Sequence, residues 1–164
     1  MRWLVRVVAA YVVVALAFGN DVKAQNAPPL QDPILRIDPG MHTTRIKGIG
    51  VDAACTLLAT GSYDKTVRLW RLPEGKLLTT IRPPIGPGNE GKVFAVAMAP
   101  DASWVTAGGW TGPGDNQFIY VFQTATGIVM TRLGPLPNVV HHLAVSPDGR
   151  FLAATLAGGW GLRV

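Results

Sequence analysis

Leu57-Leu58-Ala59-Thr60-Gly61-Ser62-Tyr63-Asp64-Lys65-Thr66-Val67-Arg68-Leu69-Trp70 places two short apolar runs on either side of a Gly-Ser-Tyr-Asp-Lys turn. That order predicts strand, tight turn, strand. Thr60, Asp64 and Trp70 stand where a buried hydrogen-bond chain would lock the turn to its sheet.

Outward from this hairpin the chain repeats itself. Ile49-Gly50-Val51-Asp52 aligns with Val96-Ala97-Met98-Ala99 and Leu143-Ala144-Val145-Ser146, a constant 47 positions apart (49 to 96 to 143). Leu57 to Thr60 aligns with Trp104 to Ala107 and Phe151 to Ala154 at the same offset, and Pro100-Asp101 and Pro147-Asp148-Gly149 mark one turn. A fixed period of this length signals an array of one supersecondary unit. The first unit parses into strands 46–51, 57–61, 67–71 and 77–82, the second into 93–98, 104–108, 118–122 and 128–133. The third has strands near 140–145 and 151–155, and a third strand opening at Leu162-Arg163-Val164. Four-stranded antiparallel sheets at this period are blades of a β-propeller. The expected fold is all-β: about two and a half blades (42–82, 89–133 and an incomplete 138–164), within a segment 34–164.

HTTRIKGIGVD (42–52), LLATGSYDKTVRLWRLPEGKLL (57–78) and VSPDGRFLA (145–153) resemble repeats of the WD-repeat β-propeller family. The resemblance implies a hydrogen-bonded tetrad of His42, Thr60, Asp64 and Trp70. Physically, a buried Asp must be paired, and imidazole and hydroxyl can satisfy it. The second unit departs from the pattern, with Asn89, Ala107 and Phe122 at the His, Thr and Trp positions. Arg71 replaces the Asp that usually follows the Trp.

A propeller closes with about four to eight blades. The chain is therefore expected to be a truncated part of a longer propeller, with self-association through incomplete blades as the other way to cover open faces and edges. Ile34-Leu35-Arg36-Ile37 has the phase of an outermost strand.

The first 24 residues read as an address. Arg2 and Arg6 precede the unbroken apolar run Val7 to Phe18, and Val22-Lys23-Ala24 offers small residues to a signal peptidase. The apolar run falls short of the ~18–20 residues that span a bilayer. A helical signal peptide (1–24) cleaved after Ala24, a flexible leader (25–33) and a periplasmic or secreted mature chain without stable membrane insertion are expected.

Composition limits function. The 164 residues carry a net charge of +5, part of it from Arg2, Arg6 and Lys23. The rest is scattered, with no basic run, which argues against nucleic acid. Cys55 is the only cysteine, which excludes an internal disulfide and any cysteine zinc cluster. Cys55 with a His would be a nucleophile pair, but it sits in a turn on the face opposite His42. Neighbours His141 and His142 are expected to point to opposite faces of a strand, so no metal is expected. Asp115-Asn116 reads as a turn pair, and Gly88 to Lys92 lacks phosphate-loop spacing. No catalytic residue and no cofactor are expected.

Alternating strand directions gather the long connections 83–92, 109–117 and 134–138 on one face, where binding usually lives. Arg45, Tyr63, Lys92, Trp110 and Trp160 fall on that face. They form a candidate rim for another protein or peptide, since Trp, Tyr and Arg dominate interface energetics; the other reading has each Trp covering its own blade. The expected function is a non-catalytic protein–protein interaction scaffold. The alternative is the sensory or docking part of a larger enzyme, such as a caspase-like peptidase fused to a propeller.

Overall fold

The computed structural model describes residues 38–164. The expected signal peptide, leader and Ile34–Ile37 strand lie outside the described residues.

Three antiparallel sheets follow one another along the chain. The first contains β1 (Ile46–Val51), β2 (Leu57–Ser62), β3 (Val67–Arg71) and β4 (Lys76–Ile81), paired in chain order. The second contains β5 (Lys92–Met98), β6 (Trp104–Trp110), β7 (Gln117–Gln123) and β8 (Val129–Leu136), again in order. The third pairs β9 (Val140–Val145) with β10 (Leu152–Leu156) and β10 with the two-residue β11 (Leu162–Arg163). β5 lies against β1 on one side and β9 on the other, so the leading strands of the sheets stand side by side. Among the described residues the only helical piece is a short 3-10 turn at Gly158–Trp160. This all-β arrangement is consistent with part of a propeller.

Alternation along the strands builds the two cores. Ala59, Val67, Leu69 and Ile81 of the first sheet pack on Val96, Met98, Val105 and Phe122 of the second. The opposite face of the second sheet sends Ala95 and Ile119 against Val140, Ala154 and Leu156 of the third. A sheet covered on both faces has little room for polar side chains, and β5 and β6 are accordingly buried almost throughout. Close approach of the leading strands depends on a glycine: a Cβ on Gly48 would lie 2.9 Å from the backbone nitrogen of Val96 and 3.0 Å from Ala95 Cα. The outer face of β1 remains open, with Ile49 71 % exposed.

The turn joining the first two strands of each sheet repeats as faithfully as the strands do. Cys55 (φ 54), Ala102 (φ 60) and Gly149 (φ 72) stand at equivalent positions, all left-handed. Only glycine meets that conformation without a Cβ penalty.

Each leading strand also carries a β-bulge at the same place. Pairing jumps from Ile46 to Gly48 in β1, from Val93 to Ala95 in β5 and from His142 to Val140 in β9. The unpaired residues are Lys47, Phe94 and His141, again 47 positions apart (47 to 94 to 141). A bulge re-aims a side chain without moving the rest of the ladder.

Candidate functional site

The first sheet holds a polar relay on the face turned away from the second. Trp70 Nε1–H donates to Thr60 Oγ1 at 2.8 Å. Thr60 Oγ1 is 2.7 Å from His42 Nε2, and His42 Nδ1 is 2.9 Å from Asp64 Oδ2. The Asp64 carboxylate can only accept, so Nδ1 carries the proton in that bond, and in the neutral ring Nε2 is left to accept the hydrogen of the Thr60 hydroxyl. Asp64 further accepts the Thr43 and Thr66 amides, each at 3.1 Å, and the Thr66 hydroxyl at 2.6 Å. Burial pushes the Asp64 carboxyl up, but these hydrogen bonds outweigh it and hold it below the ordinary 3.8.

Hydroxyl, imidazole and carboxylate in a row have the composition of a hydrolytic triad. Here the row is closed. Thr60 is 5 % exposed, and its oxygen is occupied by Trp70. A carbonyl carbon has no path to it, so the relay pins strands β2 and β3 to the segment before β1.

The second sheet meets the same need differently. Ala107 and Phe122 fill the positions of Thr60 and Trp70, both fully buried against the first sheet. Its β6–β7 connection is clamped from inside by Gln117, 1 % exposed, whose amide accepts from Gly112 N at 3.1 Å and donates to Gly114 O at 2.6 Å. The Thr111 hydroxyl donates from the same loop to Phe118 O at the start of β7. Asn89 is exposed and accepts from Lys92 Nζ at 2.8 Å. Gln117 was invisible to repeat alignment because it opens β7 directly after the inserted loop; Gly112 and Gly114 in that loop were the available signal.

A second constellation lies where the leading strands meet the long connections. Lys47, Tyr63, Phe94, His141 and His142 line a cavity of about 130 Å³. The Tyr63 and Phe94 rings are 4.8 Å apart, Phe94 and His141 6.0 Å, and His141 and His142 6.4 Å edge to face. Lys92 Nζ stands 5.4 Å above the Tyr63 ring, within reach of its negative face. The two histidines share this cavity, contrary to the alternation expected of strand neighbours. The bulge at His141 breaks the two-residue period at that point.

Of the five rim residues, Tyr63 and Lys92 lie together. The Arg45 carbonyl accepts the Tyr63 amide at 3.1 Å, while the Arg45 side chain faces solvent. Trp110 pairs with Lys92 across β5 and β6 and is half-buried. Trp160 is 50 % exposed in the 3-10 turn and is not among the cavity residues. Sequence reading missed Phe94 and Lys47. Their shared offset with His141 was the signal that could have found them.

The remaining candidates are ordinary turn groups. Cys55 is exposed, its amide bonded to Asp52 O at 3.1 Å. Asp115 and Asn116 are exposed, with Asn116 N on Pro113 O. Among the described residues, no three His, Cys, Asp or Glu side chains converge to hold a metal, and no helix is long and apolar enough to cross a membrane.

The family model described as WD domain, G-beta repeat matches residues 39–71, the span that contains the whole His42-to-Trp70 relay. The small ribosomal subunit protein RACK1y of Oryza sativa subsp. japonica is 30 % identical over 97 residues. That stretch covers 59 % of this chain and 26 % of the relative, so the match spans about a quarter of the relative's length. Both matches, with three successive antiparallel sheets, support a WD-repeat family.

Proposed function

We propose that this chain is a non-catalytic interaction scaffold that presents its loop-bearing face to another protein or peptide. The observation that carries the reading is the aromatic and cationic cavity lined by Lys47, Tyr63, Phe94, His141 and His142, set on rigid strands beside long connections. The match to a WD-type repeat and the kinship with RACK1y agree with a scaffold. The closed relay agrees too, since its hydroxyl is already engaged. His42, Thr60, Asp64 and Trp70 are assigned a structural role, and Tyr63 and Lys92 a role in contact, with Arg45, Trp110 and Trp160 at its margin.

The test places a photo-crosslinking side chain at position 63 and, separately, at position 53 on the opposite face, in the host that makes the protein. Discrete adducts from position 63, lost when Phe94→Ala is added, are expected. Equal adducts from both positions would sink the assignment of the face. We further propose export, on the strength of Arg2, Arg6, the Val7 to Phe18 run and Val22-Lys23-Ala24. Amino-terminal sequencing of protein recovered outside the cytoplasm is expected to begin at Gln25; a start at Met1 would overturn it.

A further inference from the structure

Lys47, Phe94 and His141 come from three different sheets, yet they occupy one structural position: the extra residue of a bulge in each leading strand. Such a residue has no cross-strand partner to satisfy. Three repetitions of the device aim three side chains of different chemistry into one cavity, with Tyr63 closing the wall and Lys92 standing over it.

The lining is one-sided in charge. It contains a lysine and two imidazoles and no carboxylate, and Lys92 adds a second ammonium at its edge. The acid of the neighbouring turn, Asp64, is turned to His42, Thr43 and Thr66, whose hydrogen bonds occupy its oxygens. Beside the cations, Tyr63, Phe94 and His141 make a continuous run of rings. An anion next to an apolar group complements such a surface; a cationic segment would meet repulsion. Single-stranded nucleic acid needs a track of cations following its backbone, whereas here one lysine lines a single small cavity and a second stands over its Tyr63 wall.

We infer that the cavity takes a peptide segment in which a glutamate or aspartate side chain adjoins an aliphatic or aromatic one. Lys47 and Lys92 meet the carboxylate, and the Tyr63–Phe94–His141 rings receive the apolar neighbour. The inference rests on the proposed scaffold role and names the chemistry of its partner.

Fluorescence anisotropy on the full chain tests it, using a short fluorescein-labelled peptide alternating glutamate and leucine and its counterpart with glutamine for glutamate. The glutamate peptide is expected to bind at least about tenfold tighter, a difference that Lys47→Gln largely erases. Phe94→Ala is expected to weaken the glutamate peptide about tenfold, and Cys55→Ser on the opposite face to leave it unchanged. Lys47 is exposed, so its replacement keeps the fold even if Phe94→Ala does not. Equal binding of both peptides, lost together in Phe94→Ala, overturns the acidic preference and leaves the docking face intact. Failure of the glutamate peptide to bind the folded chain, or its displacement by equimolar oligothymidylate, overturns the inference outright. The crosslinking experiment judges the scaffold role separately.

Discussion

The first and second sheets answer one structural demand with opposite chemistry. At equivalent register positions the first sheet has Thr60, Arg68 and Trp70 where the second has Ala107, Tyr120 and Phe122. The face of the second sheet that bears Phe122 is covered by the first sheet and packs dry. The matching face of the first sheet turns the other way and carries hydrogen bonds, including Arg68 Nη2 to Asp38 at 2.9 Å. A strand pair can be fixed by burial against an adjoining sheet or, on a face that no other sheet among the described residues covers, by a directed polar relay. Losing packing and losing a hydrogen bond carry different penalties, which makes the contrast measurable.

The largest effect is expected from Phe122→Ala. Emptying a fully buried aromatic between two sheets costs about 3–5 kcal/mol, enough to unfold a marginally stable chain. Urea denaturation would show a midpoint collapse; a shift no greater than that of Trp70→Phe would erase the distinction between the sheets. Next comes Thr60→Val, which keeps shape but strands both the indole N–H and the imidazole. A loss of about 1–3 kcal/mol is expected, whereas Ala107→Thr, recreating the hydroxyl without its partners, should also destabilise rather than rescue.

Acid sharpens the comparison further. Asp64 is held below 3.8 by its hydrogen bonds, and burial raises Asp52 while bonds from Leu57 and Thr56 lower it more. A carboxyl depressed in the folded state contributes stability that is complete above its unfolded value and disappears as pH falls through its folded value. Stability is therefore expected to hold down to about pH 4 and decline below it. Hydrogen exchange should show the first sheet loosening before the second, which has Ala99 at the place of Asp52 and Thr111 at that of Asp64. The smallest effect runs the other way: Cys55→Gly is expected to stabilise by about 0.5–1 kcal/mol, by removing a Cβ from a left-handed position. Thermal melting that shows no gain would place the strain elsewhere.

Much of the fold was legible because its signals are periodic. Alternation and the constant offset located β1, β3 and β9 to the residue, and the other strands to within a few positions. Local defects in that periodicity were not legible. Bulges at Lys47, Phe94 and His141 leave composition untouched and reverse the facing of the neighbouring strand residues, so a two-residue pattern hides them. Trp160 illustrates the converse. A Gly-Gly-Trp repeat of the Gly108-Gly109-Trp110 motif promised a shared rim, but Gly158–Trp160 coils into a 3-10 turn where β6 runs straight on through Trp110.

The unpaired residues of the leading strands have an evolutionary consequence. With no opposite neighbour, each can be exchanged for another side chain at little cost to pairing, and three successive units offer three such letters at one spot. A lineage can therefore rewrite what the pocket prefers while its architecture stays fixed, which makes drift in partner choice far easier than drift in shape.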